Sequence, residues 1–183
     1  ATQLEGLNAQ RQLLTRQVTE AAEAQLRAEP ALLSDPVIVL AHPAWPAGVI
    51  GIAASRLVDR YNRPAILLSA PPGEPAHGSA RSIEGINITT AIAAQEDLLL
   101  KFGGHPMAAG LSLETDKLPN FRRGLARTIR QMGMDTRREP SLQIDAWLEL
   151  PDLNLELAEA LESLAPYGAG NGKLILATRK LSL

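Results

Sequence analysis

The sequence predicts an α/β fold with a mixed, largely parallel sheet flanked by helices, preceded by a long linker helix and followed by part of a second α+β region. Three neighbouring segments support this prediction. PVIVLAHP (36–43) and AILLSA (65–70) are apolar runs typical of buried strands, and GVIGIAASRLVDRYNRP (48–64) has a helical period. A strand, a helix and a strand in succession form a βαβ unit, which implies a parallel pair joined by a right-handed crossover.

The N-terminal segment LEGLNAQRQLLTRQVTEAAEAQLRA (4–28) predicts a long helix. Its apolar side chains recur near one stripe of the helix: Leu7, Leu14, Val18, Ala21, Ala22 and Leu26. Because this helix starts abruptly at residue 1, we expect residues 1–34 to be a linker and the chain to be a fragment of a longer protein.

Loops alternate with regular elements after the βαβ unit. The Pro/Gly loop PPGEPAHG (71–78) and the polar segment SARSIEG (79–85) precede a predicted helix over 88–99, which Asn87 can cap. AAGLSLE (108–114) predicts a strand.

A further helix over 119–132 buries apolar side chains at spacings of three and four. Its other face holds four arginines, a pattern more typical of a solvated face than of a nucleic-acid footprint: Arg122, Arg123, Arg127 and Arg130.

The break GMDTRREPS (133–141) separates this basic helix from an acidic stretch, and we place a domain boundary there. Beyond it, LQIDAWLEL (142–150) predicts a strand, NLELAEALESL (154–164) a helix and KLILATRKLSL (173–183) an alternating strand. The predicted domains are therefore a linker helix over 1–34, a main domain over 35–134 and a partial domain over 141–183.

Composition narrows the possible functions. The chain has 183 residues and no cysteine, which excludes disulfides and thiolate metal sites and fits a reducing compartment, so we expect a cytoplasmic protein. No apolar run approaches the roughly 18 residues of a membrane span, and we expect no membrane partner. The net charge of −2 argues against a globally basic nucleic-acid binder, so phosphate contacts must come from a local patch. Aromatic residues are only 3%, which leaves few platforms for base stacking.

The segment LLLKFGGHPMAAGLSL (98–113) is the first candidate site. Gly103 and Gly104 let the backbone turn sharply and approach a ligand with outward amides, a geometry that suits an anion. His105 can donate a hydrogen bond to a phosphate oxygen, and Ala108, Ala109 and Gly110 leave room for a bulky substrate. The alternative is a tight loop packed on a helix, with the histidine capping a carbonyl.

The segment GSARS (78–82) is the second candidate site. Ser79 and Ser82 flank Arg81, whose guanidinium fork matches phosphate oxygens bidentately. The alternative is a solvated loop with an ordinary surface arginine.

A metal centre is not expected in this chain. His42, His77 and His105 are scattered, and no Asp-x-Asp or Asp-His-His run brings hard ligands together. The sequence also lacks a Walker loop, a Gly-x-Ser-x-Gly elbow and a cysteine nucleophile.

Three segments in this order, GVIGIAASRLVDRYNRPAILLS, GSARSIEGINI and LLLKFGGHPMAAGLSLE, resemble the C-terminal half of the RecJ family, the bacterial single-stranded-DNA-specific exonucleases of the DHH phosphoesterase superfamily. The likeness covers the DHH-associated domain. LNAQRQLLTRQV resembles the helix that links the family's two catalytic domains, and LAPYGAGN resembles a motif of its oligonucleotide-binding barrel. The resemblance therefore implies that residues 141–183 are a partial oligonucleotide-binding-fold region, either α+β or barrel-like, with the barrel incomplete or differently arranged.

The resemblance implies a division of labour. In the family, an N-terminal DHH domain holds Mn or Mg ions and the associated domain closes over single-stranded DNA. By likeness, Gly103, Gly104 and His105 would face the cleft near the scissile phosphate. The family motif extends to Ala109 and Gly110, while Ser79, Arg81 and Ser82 would contact the strand near its 5′ end. We expect no cofactor in this chain, the missing DHH domain as its partner, and no catalytic residue or activity in the fragment alone.

Two departures from the family pattern stand out. The family's Trp-His-x-Gly becomes WPAG, with Pro46 at the histidine position, and its GNPEP becomes GNGKL.

Two alternative functions remain open: a small DHH-family phosphoesterase acting on short RNA or nucleotide messengers, and a non-catalytic RNA-binding appendage like that of alanyl-tRNA synthetase. The leading interpretation is the substrate-binding half of a 5′-to-3′ exonuclease used in DNA repair and recombination.

Overall fold

The computed structural model describes residues 2–133, 142–168 and 170–179. The chain divides into two compact units, Ala1–Arg138 and Glu139–Leu183. The predicted break over 133–141 lies outside the described residues except for Gly133. The functional assignment of the three predicted domains stays a prediction. In the described part of the chain, no helix is both long enough and apolar enough to cross a membrane.

The described residues of the first unit form a five-stranded sheet and four α-helices. The strands are β1 (Ile38–His42), β2 (Ala65–Ser69), β3 (Ala76–Arg81), β4 (Lys101–His105) and β5 (Ala108–Leu113). The helices are α1 (Thr2–Ala28), α2 (Ala47–Tyr61), α3 (Ile88–Ala93) and α4 (Leu118–Gln131). Short 3-10 turns occupy Pro30–Ser34, Glu96–Leu98 and Thr115–Lys117.

The sheet has the strand order β1-β2-β3-β5-β4. The predicted βαβ unit is confirmed, because β1 and β2 pair in parallel around α2. The α/β class and the mixed sheet are confirmed as well, but the sheet is mostly antiparallel rather than largely parallel, since the other three pairings are antiparallel. The reason lies in the connections: the loops over 70–75 and 106–107 are shorter than the dozen or so residues that a parallel crossover needs.

Side chains alternate between the two faces of the sheet, so each face has its own core. On one face, β1 and β2 pack under α1 and α2, and the buried residues of this core include Val18, Ala22, Leu26, Leu40, Val49, Ala53, Leu57 and Leu67. On the other face, β1, β2, β3 and β5 pack under α3 and α4. The buried residues of this core include Ile66, Leu68, Ala80, Leu111, Ile92, Phe121, Leu125 and Ile129. The hydrophobic core beneath α1 and α2 includes no residue of β3, β4 or β5.

The helix predicted over 88–99 is shorter in the structure. Asn87 caps it as predicted, accepting a hydrogen bond from the Thr90 amide at 3.1 Å. The α-helix ends at Ala93, and the Gln95 side chain turns toward α4, where its Nε2 donates to Thr128 Oγ1 at 2.9 Å. Within the rest of the predicted helix, Glu96–Leu98 form a separate 3-10 turn.

The second unit is a small α+β arrangement. It contains β6 (Ala146–Leu148), a 3-10 turn (Leu150–Asp152), α5 (Leu155–Glu162) and β7 (Leu176–Thr178), and β6 pairs with β7 in parallel. The predicted strands and helix are each found over fewer residues, and the end of the strand predicted over 173–183 lies outside the described residues. A two-stranded sheet is all that forms among the described residues of this unit, so no barrel closes there.

Candidate nucleic-acid interface

The face of the sheet that α1 and α2 cover over β1 and β2 continues over β3, where Gly51 of α2 still lies against Ser79 and Arg81, and it is exposed at Gly110 of β5 and at Gly103 and His105 of β4. Strand register places two rows of residues across it: Ser79, Gly110 and Gly103 in one row, and Arg81, Ala108 and His105 in the next. We call these six residues the open face. A Cβ atom added at Gly103 would meet nothing within 4 Å, and one at Gly110 would meet only the Gly78 carbonyl, at 3.9 Å.

Small residues make the middle of the open face a trough. Gly110 and Ala108 lie on β5, between β3 and β4. Since neighbouring strands are about 4.8 Å apart, the backbones of Arg81 and His105 are separated by about 10 Å with only the Ala108 methyl group between them. The trough therefore has a guanidinium on one side and an imidazole on the other.

The Arg81 guanidinium is half-buried and held by its own strand. Its Nη1 donates to Ser79 Oγ at 3.0 Å and to the Ala80 carbonyl at 2.8 Å. An arginine side chain has five N–H donors, and the described residues offer no further acceptor to this one. Its remaining donors are available to an anion.

The β4–β5 turn that holds His105 is tied to the loop before α3 and to the start of that helix. The Thr89 hydroxyl donates to the His105 carbonyl at 2.7 Å, the Ile88 amide donates to the Pro106 carbonyl at 2.9 Å, and the Ser82 amide donates to the Met107 carbonyl at 3.0 Å. The His105 side chain is exposed, and no described residue hydrogen-bonds to its ring. The turn is thus fixed through its backbone while the imidazole faces solvent.

Gly104 is required by the backbone. Its φ is +152°, and an added Cβ atom would overlap the Ala108 carbonyl oxygen and lie 2.5 Å from Ala109 Cα. No such conflict exists at Gly103. The two adjacent glycines therefore have different roles, one in the geometry of the hairpin and the other in keeping the trough open.

The structure brings together five of the eight sequence-predicted site residues on the open face: Ser79, Arg81, Gly103, His105 and Gly110. The other three are elsewhere. Gly104 and Ala109 pair with each other in the register that faces the α3–α4 core, and the Ala109 methyl group is buried. Ser82 is only 5% exposed, and its hydroxyl donates to the Ile86 carbonyl at 2.7 Å, which gives it a role in holding the loop.

One residue of this site was missed by sequence reasoning. A Cβ atom added at Gly51, in the second turn of α2, would lie 2.8 Å from both Arg81 Nη2 and Ser79 Oγ. The sequence offered one signal for it, because a glycine inside a helix costs about 1 kcal/mol relative to alanine and so calls for a reason.

The charge and the ligand types on the open face favour anion binding over metal chemistry. Lys101 lies on the same face, in the row next to Gly103, and adds a second permanent cation to Arg81. Among the described residues, no group of three or more His, Cys, Asp or Glu side chains is placed to hold a metal ion. The four arginines of α4 belong to the helix that packs on the opposite face of the sheet, where Arg130 Nη2 pairs with Asp35 at 2.6 Å.

Comparison with known proteins places this arrangement in a family. Residues 34–131, more than half of the chain, match the DHHA1 domain, and every residue of the open face falls within that range. The chain belongs to the DHHA1 domain family. The resemblance seen in the three sequence segments is thereby confirmed.

The relatives of this DHHA1 chain include several proteins named single-stranded-DNA-specific exonuclease RecJ. The one from Bacillus subtilis is 36% identical over 174 residues, covering 94% of this chain and 22% of the relative. The Escherichia coli protein is 36% identical over 136 residues, covering 72% of this chain and 23% of the relative. The chain therefore spans about a quarter or less of the length of these relatives.

Solved RecJ structures share the fold of this DHHA1 chain. The crystal structure of RecJ with Mn²⁺ from Thermus thermophilus matches 97% of this chain and 25% of its own chain, with a TM-score of 0.69 and 32% identity. The Mg²⁺ complex of the same protein gives a TM-score of 0.68 and 31% identity over 94% of this chain and 26% of its own.

Proposed function

We propose that this DHHA1 domain is the strand-binding part of a RecJ-type exonuclease that degrades single-stranded DNA from 5′ to 3′ in repair and recombination in the cytoplasm. The observation that supports this most directly is the open face, where Arg81 and His105 border a trough lined by Gly110 and Ala108. A phosphodiester backbone needs donors on its phosphates and room for its sugars, and the trough offers both.

The residues of this chain bind and orient the strand. Before any ligand binds, the Arg81 guanidinium already makes two hydrogen bonds within the protein. It therefore loses less conformational entropy on donating to a phosphate oxygen than a freely rotating arginine would. His105 donates from the opposite side of the trough. Because β4 is an edge strand among the described residues, alternate backbone groups near Gly103 point outward and can add amide donors.

Bond cleavage belongs to another part of the full protein. Hydrolysis of a phosphodiester with divalent ions requires converging carboxylates and histidines, and the described residues supply no such set. The relatives are named exonucleases, and their solved structures contain Mg²⁺ or Mn²⁺. We assign those ions to the N-terminal DHH domain, the partner that this domain would close against.

The test is the affinity of the full-length protein for a fluorescein-labelled single-stranded oligonucleotide, with metal replaced by EDTA to prevent cleavage. Arg81→Ala should weaken binding by about ten- to a hundredfold, the loss of one charge-assisted hydrogen bond. Arg127→Ala is the matched control, since it removes the same charge from an exposed position on α4. Equal losses in the two variants would show a general charge effect and overturn the proposal.

The same experiment addresses the two alternatives. An RNA oligonucleotide of the same sequence, used as a competitor, should bind more weakly if the trough selects DNA. Preference for RNA would favour the RNA-binding appendage, and tight binding of dinucleotides alone would favour the small phosphoesterase.

A further inference from the structure

We infer that Gly51 of α2 is a positioning residue, which acts by giving the Arg81 guanidinium and the Ser79 hydroxyl the space in which they meet. The inference rests on the proposed function, because it names a residue that prepares the same site. Gly51 itself offers no side chain to a ligand, so its effect must pass through Arg81 and Ser79.

The contacts of Gly51 are specific to these two side chains. A Cβ atom at this position would lie 2.8 Å from Arg81 Nη2, 2.8 Å from Ser79 Oγ and 3.4 Å from Arg81 Cζ, and these are its three nearest neighbours. Distances under 3.0 Å are essentially never found around real Cβ atoms. A methyl group at Gly51 would therefore occupy the space that the guanidinium and the hydroxyl share.

Helix packing gives no separate reason for this glycine. The residues of α2 that fill the neighbouring core are Val49, Ile50, Ala53, Ala54 and Leu57, all buried. The other glycine of the helix, Gly48, is exposed, and an added Cβ atom would meet nothing within 4 Å there. An alanine is the better helix former at both positions, so only the contact with Arg81 and Ser79 opposes it at Gly51.

The consequence is a guanidinium fixed on three sides. The Gly51 backbone closes one side, the Ser79 hydroxyl accepts from Nη1 on another, and the Ala80 carbonyl accepts from the same nitrogen on the third. Because the crowded atoms are the ends of side chains, they can move away from a methyl group at low cost to the fold. Gly51→Ala should then release Arg81 from Ser79 and leave the domain folded.

The decisive experiment compares Gly51→Ala with Gly48→Ala in the full-length protein. We expect Gly51→Ala to weaken single-stranded DNA binding by about tenfold, the equivalent of one charge-assisted hydrogen bond, and to raise KM while kcat is kept. Gly48→Ala should bind as the wild type does. A purely structural role for Gly51 would instead lower the melting temperature, and a fall of many degrees would overturn the inference.

Two further measurements isolate the route through Arg81. The double variant Gly51→Ala/Arg81→Ala should bind no more weakly than Arg81→Ala alone, because the methyl group can then displace only the Ser79 hydroxyl, whose proposed role is to hold the absent guanidinium. In ¹⁵N spectra, the Nε–H signal of Arg81, assigned by its loss in Arg81→Lys, should move in Gly51→Ala and stay in place in Gly48→Ala. Additive losses or an unmoved signal would overturn the inference.

The failure of this inference is distinguishable from the failure of the proposed function. If Arg81→Ala binds DNA as tightly as the wild type, the open face is not the binding site and the proposed function falls. If Arg81→Ala is impaired and Gly51→Ala is not, the proposed function stands and Gly51 has no positioning role.

Discussion

The side-chain hydroxyl of Thr89 donates a hydrogen bond of 2.7 Å to the backbone carbonyl of His105. Thr89 lies in the first turn of α3, and His105 is the last residue of β4. Because the contact uses the main chain of His105, it fixes the turn and leaves the imidazole exposed. The structural contribution and the proposed ligand contact of His105 can therefore be separated by mutation.

His105→Ala in the full-length protein should leave the melting temperature unchanged, because no described residue hydrogen-bonds to the ring. If the imidazole donates to a phosphate in the transition state, kcat/KM on single-stranded DNA should fall about ten- to a hundredfold. Melting curves and exonuclease kinetics on the same preparation check both expectations. A destabilised variant with full activity would identify His105 as a structural cap.

Thr89→Val should show the opposite pattern. It removes the hydroxyl from the His105 carbonyl and should cost about 1 kcal/mol of stability, or a fall of about 2–4 °C in melting temperature for a chain of this size. Turnover per folded molecule should change less than in His105→Ala. An unchanged melting temperature would show that the hairpin does not depend on this bond.

The paired glycines should respond differently to the same substitution. Gly104→Ala should destabilise the domain by at least about 1–3 kcal/mol, because the position has a positive φ and its Cβ atom would overlap the Ala108 carbonyl. Gly103→Ala should fold normally, since nothing lies within 4 Å, but its methyl group would enter the trough and weaken DNA binding. Chemical denaturation and oligonucleotide titration of both variants test this. Equal stabilities would contradict the backbone argument.

The chain alone should show no nuclease activity with Mg²⁺ or Mn²⁺, because its described residues assemble no set of hard metal ligands. Incubation of the purified chain with end-labelled single-stranded DNA checks this, with the full-length protein as the positive control. Cleavage that disappears when a residue of this chain is mutated would reveal a metal site outside the arrangement described above.

Binding of single-stranded DNA to the chain should be weak and sensitive to salt, since a local patch acts against a net charge of −2. Each phosphate neutralised on a single strand adds about −0.7 to the slope of log K against log salt. Arg81→Ala should therefore flatten the slope by about 0.7. A salt-independent affinity would mean that stacking dominates, against the aromatic content of only 3%.

Periodicity predicted the elements in which local sequence and tertiary structure agree. Local signals, each spanning only a few residues, predicted four features: the helix α2, the buried strands β1 and β2, and the Asn87 cap. The signals were the spacing of apolar residues for the first three and capping chemistry for the last. β3 and β4 were not predicted as strands, because all the residues of AHGSAR and KFGGH except Phe102 have little strand preference. Both become strands because they pair on either side of β5: β3 pairs with it across about 30 residues of sequence, and β4 pairs with it through a two-residue turn that the glycine-rich sequence did not reveal.

The residues of the candidate site likewise fall into two groups, those predictable from local sequence and those that depend on tertiary structure. The residue types of Arg81 and His105 suggested the proposed phosphate contacts, and the strand register places the two residues on one face of the sheet, which the sequence did not indicate. Ser82 has a suitable hydroxyl, but whether it faces a ligand or the Ile86 carbonyl depends on the path of the loop. The contact of Gly51 with Arg81 joins residues 30 positions apart, and nothing in the local pattern encodes it.

The edge position of β4 also bears on how copies of this domain behave in concentrated solution. An exposed edge strand offers unpaired backbone groups on which another chain can form a new strand. In β4 the middle of that edge is Gly103 and Gly104, which have little tendency to extend a sheet, and Lys101 places a positive charge beside them. Gly103, whose missing side chain keeps the trough open, thus also makes this sheet edge a poor template for a strand of another copy.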